Sequence, residues 1–485
     1  MLLFLAGIAI LIAGYFTYGK LVEKILAPDD RQTPAVKNPD GVDFVTLPHW
    51  KNMLIQLLNI AGIGPVIGVI LGIKFGAIVF IILPIGNLIA GATHDMIAGM
   101  MSLRNNGANL TTLVEDNLGK AYSRIFSWFM VGLLLLVVAV FINIPANLIS
   151  GMIPGDWFWT AVVIIAIYYV VAAMFPVDKI IGAVYPFFGA LLILSSIAIF
   201  AALLYHGFKN PALLQESAAF KARMFTAAKH QPIFPLLFVT IACGIISGFH
   251  ATQSPIVART MKTERQARST FYGMMVAEGI IGMIWAGAGL AIYNLFPEYM
   301  AQAPAKVLGH ITTHFLGSVA GGVTIIGVVV LAITSGDTAL RSTRMALGEM
   351  LKVDQKPIAN RLLICFVLLQ IVAGLLWWSN QSAKSFNMLW NYFSWGNQIL
   401  AVTTLLAGSV YLARCGKNRL IALVPGAFML FIVLCYILWI SPSHKGPVGL
   451  GLDLKVAYII SAVLVLDIVG VIWMYGNKLR NSDKK

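Results

Sequence analysis

Two long apolar segments of this chain are each interrupted by a glycine-rich run, A-G-I-G-P at Ala61 to Pro65 and A-C-G-I-I-S-G at Ala242 to Gly248. Glycine permits backbone angles closed to other residues, and proline removes an N–H donor and disfavours helix in the residue before it. In hydrocarbon a chain must satisfy its own N–H and C=O groups, so unwound backbone at mid-membrane survives only where it is buried in protein or lines a cavity. A matched pair of breaks therefore points to the substrate site of a carrier.

The surroundings of both breaks are apolar because nearly the whole chain is. Of its 485 residues 59% are hydrophobic and 11% charged, and the mean hydropathy is +0.84, outside the range of a soluble globular protein. Runs of roughly 20 residues, the length that crosses a bilayer, fall near 2–18, 53–73, 75–100, 125–149, 157–176, 180–206 and 232–250. Six more follow near 270–295, 315–336, 361–379, 387–412, 419–440 and 454–475. The chain thus reads as an all-α integral membrane protein with thirteen transmembrane helices in a single polytopic domain, 1–485. The first run lacks a basic start and a small-residue cleavage site, so it reads as a retained span and not a signal peptide.

A net charge of +14 does not indicate nucleic acid, since no segment outside the spans joins a basic cluster to stacking aromatics. The 34 Lys and Arg sort by side of the membrane instead. With the N-terminus outside, most fall in the loops and tail of the opposite side, which the positive-inside rule makes cytoplasmic. The loop 207–231, with Lys209, Lys221, Arg223 and Lys229, runs against that bias and has the pattern of a short amphipathic surface helix.

Setting aside the first span and the last two leaves ten, which divide into five-helix units at 51–207 and 232–413, with 1–20 and 417–476 peripheral. Five is odd, so the second unit must be inverted relative to the first, and the first helix of each is the one with a break. That is the pattern of a 5+5 inverted-repeat transporter.

At the first break, the half-helix after Gly62, Ile63, Gly64 and Pro65 would aim free N–H groups and a positive dipole end at an anionic group such as a substrate carboxylate. A kinked helix with close glycine packing has the same sequence; the second break tips the balance toward a site. There, T-I-A-C-G-I-I-S-G-F-H-A-T-Q-S-P sets Thr240, Cys243, Gly244, Ser247, His250 and Gln253 in an apolar run. Hydroxyl, imidazole and amide groups suit a polar small-molecule pocket. His250 is open between packing and function. The cysteines, Cys243, Cys365, Cys415 and Cys435, show no C-x-x-C spacing and read as packing residues.

Coupling to a cation, H⁺ or Na⁺, has its own candidates. Thr334 and Ser335 lie in L-A-I-T-S-G-D-T-A-L-R-S-T-R, on the helix that an inverted repeat packs against the first break. Their hydroxyls and the carbonyls near Gly62 would make oxygen ligands for a small cation. Asp337, one turn before Arg341, belongs either to that site or to an i, i+4 ion pair at a helix end. His94 and Asp95 close the third span toward the cytoplasm, a place for a gate or proton relay, or for a hydrated helix end in which Asp95 holds Arg104. Glu278 stands alone in its span, where a carboxylate must be protonated or paired; it is the best proton carrier by position, with a structural hydrogen bond as the other reading. Asn143, Asn147, Asn391, Trp395, Asn397 and Gln398 could face a central cavity or join helices together. Asp467 lies outside the ten-span core and reads as structural. No nucleophile–base pair or metal-ligand cluster occurs within the spans, so neither an enzyme nor a cofactor is expected.

Taken together, G-V-D-F at Gly41 to Phe44, A-G-I-G-P-V-I-G, H-D with S-L-R-N-N-G, the Thr240 to Pro255 run and T-S-G-D-T-A-L-R-S-T-R resemble the carbon starvation protein A family, in five ordered motifs over most of the chain. The resemblance implies a transporter of the bacterial cytoplasmic (inner) membrane for peptides or pyruvate. It also implies a fold similar to the leucine-transporter or amino acid–polyamine–organocation group. Ile55 and Gln56 stand where many members show a histidine pair, and the motifs do not separate the peptide branch from the pyruvate branch. The expectation is a secondary active, proton-coupled importer of short peptides during carbon starvation, working by alternating access, with the N-terminus outside and the C-terminus cytoplasmic. Pyruvate/proton symport is the alternative within the family, and a membrane-embedded nutrient sensor without net transport is the alternative of another class. Its partners would be a small carboxylate substrate and the lipid bilayer.

Overall fold

The structure is a computed structural model that describes residues 1–175, 181–216, 231–302, 304–442 and 448–483. Apart from one isolated bridge between Gln32 and Thr263, its regular structure is helical among the described residues. The long helices are α1 (Leu2–Leu26), the pair α2 (His49–Ile60) and α3 (Gly64–Phe75), α4 (Val79–Arg104), α5 (Lys120–Met152), α6 (Phe158–Met174) and α7 (Ile181–Lys209). After them come the pair α8 (Phe238–Ile245) and α9 (Gly248–Ala258), then α10 (Glu264–Leu295), α11 (Pro304–Met350), α12 (Ile358–Ser379), α13 (Ala383–Arg414), α14 (Leu420–Trp439) and α15 (Leu454–Ser482). Eleven helices are long and apolar enough to cross a membrane, among the described residues, counting α8 and α9 as one; α2 and α3 pass the same test together across a 55° bend, and α6 is a shorter apolar helix.

The layering follows from what each helix surface can bury. The most apolar stretches of α10 and α13 are 89% buried and that of α15 only 11%, so α10 and α13 lie inside the bundle while α15 keeps an apolar face outward. Inside, α2 and α3 pack against α10, α3 against α8, α9 against α4 and α13, and α11 against α5, α6 and α7. Glycine lets the closest of these approaches happen. A Cβ on Gly99 would stand 2.4 Å from the ring of Phe271, and one on Gly336 would meet the Tyr169 hydroxyl at 1.9 Å.

Helix bounds differ from the apolar runs at one end of the bundle. The helix after the second break continues to Ala258 and not to 250, α10 begins at Glu264 and not at 270, and α11 extends to Met350, well beyond 336. Hydropathy marks only the stretch that faces lipid, whereas these helices continue through polar turns held by charge. Arg104 at the end of α4 pairs with Glu264 at 3.0 Å, and Arg31 reaches the same carboxylate at 3.5 Å. On the opposite side α11 is bent at Gly317, whose φ of 77° belongs to glycine. Glu216 accepts the Leu3 and Phe4 N–H groups at the start of α1, a favourable place for an anion. The surface helix expected around Lys221, Arg223 and Lys229 lies outside the described residues.

Candidate functional site

The first break begins at Ala61, whose ψ of 69° leaves the helix. Pro65 has no N–H to return to the preceding turn, and the Gly62 N–H turns back on the Ile60 carbonyl at 2.7 Å. The Leu58 carbonyl, which a continuous helix would pair with Gly62, is therefore released. Two hydroxyls take it: Thr334 Oγ1 donates to it at 3.3 Å and Ser335 Oγ at 3.2 Å. Both belong to α11, so the pair singled out in the sequence does reach the first break, and a Cβ on Gly62 would lie 3.2 Å from Ser335 Oγ.

The second break is two extended residues, Ile246 (φ −156°, ψ 130°) and Ser247 (φ −133°, ψ 124°). Beyond it the Phe249 N–H is capped by Asn397 Oδ1 at 2.7 Å, and Asn397 Nδ2 donates to Ser247 Oγ at 2.7 Å and toward Cys243 Sγ at 3.6 Å. Asn397 thus ties α13 to the break, while Gln398 Nε2 reaches the Val239 carbonyl at 3.2 Å. Gly248 allows this approach, since a Cβ there would fall 2.3 Å from the backbone of α13 at Asn397 and Ala401.

The two broken helices meet at the turns that flank their breaks. A Cβ on Gly64 would stand 2.2 Å from Cys243 Cβ, and one on Gly244 would lie 3.5 Å from the Pro65 backbone. Both breaks are buried. This is protein-buried irregular backbone, the one setting in which such geometry is tolerated within a membrane.

Beside them lies a chain of four fully buried ionisable groups from three helices. His94 Nδ1 is 2.8 Å from Asp95 Oδ1, His250 Nδ1 is 3.2 Å from Asp95 Oδ2, and His250 Nε2 is 3.9 Å from Glu278 Oε2. Residues read separately in the sequence are brought together here. Asp95 does not hold Arg104, which pairs with Glu264, and the pair His94–Asp95 lies inside the bundle with no hydrated helix end, because α4 continues to Arg104. Glu278 is not alone but faces His250. Carboxylates and imidazoles alternate along it, with the His94–Asp95 link a hydrogen bond and the 3.9 Å between His250 and Glu278 beyond hydrogen-bond reach.

Asp337 belongs to a neighbouring arrangement. Its oxygens accept from Tyr168 at 2.8 Å and Tyr185 at 3.0 Å, and Tyr185 also donates to the Thr334 carbonyl at 2.8 Å. Arg341 is not its partner. The Arg341 guanidinium pairs with Asp43 at 2.6 Å and donates to the carbonyls of Ala172 and Phe175 at the end of α6. Two other candidates join helices, Asn143 Nδ2 donating to Ser379 at 3.3 Å and Trp395 to the Val433 carbonyl at 3.2 Å, while Asn147 donates to Asn143 on its own helix at 2.7 Å. Thr240 bonds its own helix, Gln253 bonds Thr252, and Asp467 is exposed on α15. Cys243, Cys365 and Cys435 are buried and Cys415 is exposed.

Asp43 was legible in the sequence only as part of a motif, and the structure gives it a task. It lies between Arg341 and Arg344, with Phe44 under the Arg259 guanidinium at 4.9 Å and the Val45 N–H on the Arg259 carbonyl at 3.2 Å. The segment before α2 is thereby strapped to the C-terminal ends of α9 and α11. Burial pushes the Asp43 carboxyl up, and Arg341, Arg344 and Arg259 more than offset that, holding it below its ordinary value. A depressed carboxylate contributes stability above the unfolded value near 3.9 and loses it as pH falls through the folded value. Asp43→Asn should therefore lower stability at pH 7 by about 1–3 kcal/mol, with the difference from wild type shrinking below roughly pH 4. Melting curves of the two proteins across pH check this.

A profile of the carbon starvation protein CstA family matches residues 1–166, 158–310 and 297–435. An uncharacterized membrane protein of Haemophilus influenzae is 38% identical over 61% of this chain and 92% of its own length. The peptide transporter CstA of Bacillus subtilis is 25% identical over 88% of each chain, and the pyruvate/proton symporter BtsT of Escherichia coli is 25% identical over 58% of this chain and 47% of its own. Among solved structures, a manganese transporter of Eremococcus coleocola superposes with a TM-score of 0.55 at 14% identity over 92% of this chain and 99% of its own. MhsT in complex with L-phenylalanine does so with 0.56 at 14% identity over 89% and 99%. At that identity the two structures share a fold with this chain.

Proposed function

Because the chain belongs to the carbon starvation protein CstA family, we propose that this multi-pass membrane protein is a proton-coupled secondary carrier that imports short peptides across a bacterial cytoplasmic membrane. The observation that carries the reading is the meeting of two broken helices beside their breaks, Gly64 against Cys243, next to the buried groups His94, Asp95, His250 and Glu278. Relatives named as a peptide transporter and a pyruvate/proton symporter support it.

In this reading α2 to α7 and α8 to α13 are two inverted five-helix repeats, with α1, α14 and α15 outside them. Each broken pair then counts as one span, giving thirteen, with the N-terminus outside. The contact of Thr334 and Ser335 with the Leu58 carbonyl is the one such a repeat requires between the first helix of one half and the third of the other. Pro65 has no N–H, and the Val66 and Ile67 N–H groups donate to the Ile63 carbonyl at 3.1 and 2.8 Å, so the Gly64 N–H and the positive dipole end of α3 receive the substrate carboxylate, with Ser247 beside them. Proton uptake by the His250–Glu278 pair neutralises charge in a dry site and allows the loaded carrier to change its opening. Asp43 with Arg341 and Arg344 closes the cytoplasmic side until then.

Pyruvate also carries a carboxylate, so the test uses both substrates. Proteoliposomes with an alkaline interior should accumulate labelled L-alanyl-L-alanine, with no requirement for Na⁺. Uptake of pyruvate alone would move the chain to the symport alternative, and a Na⁺ requirement would move coupling to Thr334 and Ser335. Binding of either substrate without uptake would favour a sensor.

A further inference from the structure

One face of α2 carries polar groups that no sequence motif singled out. Asn52, Gln56 and Asn59 recur at i, i+4 and i+7 and so share a face. Asn52 is satisfied: its Nδ2 donates to the Thr260 carbonyl at 3.1 Å, and its Oδ1 accepts from Thr260 Oγ1 at 2.7 Å. Gln56 and Asn59 are not. Both are fully buried, and neither the oxygen nor the nitrogen of either amide has a hydrogen-bond partner among the described residues.

What these amides face is fixed by two anchor points. Asn52 meets Thr260 at one end, and Gly64 meets Cys243 at the other. Between them α2 packs against α9, the helix that carries His250 and Gln253. Gln253 donates its Nε2 to Thr252 at 2.9 Å and is fully buried, and its Oε1 has no partner either. Two packed helices thus carry three buried carboxamides with unpartnered atoms, donors and acceptors together, and one of the helices also carries His250 of the ionisable chain. Buried amides left unsatisfied in this way are expected to be satisfied by a ligand in another state of the cycle.

We infer that Gln56, Asn59 and Gln253 form a specificity-determining subsite for a ligand group that both donates and accepts hydrogen bonds, such as a peptide bond. Pyruvate has acceptors only: it can engage the amide N–H groups but leaves the Gln56, Asn59 and Gln253 oxygens bare. A site built of unpaired donors and acceptors discriminates against the ligand that cannot pair both. The inference rests on the carrier reading and adds to it which residues choose the substrate.

The test uses the full-length protein in nanodiscs and proteoliposomes, with L-alanyl-L-alanine and pyruvate as probes. Asn59→Leu and Gln56→Leu should each lower the ratio of dipeptide to pyruvate binding and uptake by about tenfold or more. The same substitutions should raise the ligand-free melting temperature, since they remove amides that no protein group satisfies. A wild-type protein that binds pyruvate and no dipeptide overturns the subsite and leaves the carrier reading in place. One that moves neither probe overturns both. Leucine variants that melt lower than wild type, or that keep the wild-type ratio, show the amides to be structural.

Discussion

Glu278→Gln proteoliposomes come to equilibrium with the external dipeptide and accumulate none of it. At zero membrane potential, a carrier moving one proton with each substrate reaches about 100-fold accumulation across two pH units, each unit being about 1.4 kcal/mol. The glutamine keeps the shape of the carboxylate and loses the proton. Glu278 is fully buried, its oxygens have no hydrogen-bond partner among the described residues, and His250 Nε2 lies 3.9 Å from it. Removing the titrating oxygen should therefore uncouple transport without unfolding the bundle. Exchange of labelled for unlabelled dipeptide, which needs no net proton movement, should survive the substitution better than accumulation does. Full accumulation by the variant would remove Glu278 from the coupling path and leave Asp337, held by Tyr168 and Tyr185, as the carboxylate to test next.

Gly64→Ala is expected to reduce uptake by about 100-fold, the loss that a misplacement of about 1 Å produces in a preorganised site, and to destabilise the protein by about 1–3 kcal/mol through overpacking. The added methyl would stand 2.2 Å from Cys243 Cβ, so the two broken helices must separate at the point where they meet. The cause is local and reversible in principle. Cys243→Gly removes the colliding atom, and the double variant should recover a large part of both losses, a coupling that a thermodynamic cycle measures directly. Equal losses in the single and double variants would mean that the broken helices do not meet as described. Gly91→Ala is the contrasting case: its methyl would collide with the Ile245 carbonyl at 1.9 Å, a backbone atom that no side-chain change can move.

Much of this architecture was legible in the sequence because it rests on local chemistry. Glycine and proline at Gly62, Gly64 and Pro65 weaken the helical hydrogen-bond ladder locally, and the apolar runs around both breaks leave only a membrane helix as their fold. The hydroxyls of Thr334 and Ser335 were placed at the first break by the logic of repeat topology, and the structure sets them on the Leu58 carbonyl. The partners of charged groups were less accessible. Asp337 and Arg341 sit at the i, i+4 spacing that allows a pair along one helix, yet each finds its partners on other elements. A single helix surface offers a few tenths of a kcal/mol to such a pair, and tertiary contacts outweigh that easily.

Composition, periodicity and the two glycine-rich runs were enough to determine a polytopic helical membrane protein with interrupted spans, since hydrogen-bond satisfaction in hydrocarbon leaves a chain of this kind few alternatives. Which side chains meet inside it was decided only by the packed fold. His250 lies 155 residues from Asp95 and 28 from Glu278, and their approach depends on the crossing of α4, α9 and α10, which no local pattern encodes. The same is true of the amides on α2: their periodicity is visible in the sequence, but that Asn52 is satisfied and Gln56 and Asn59 are not depends on where α9 lies beside them.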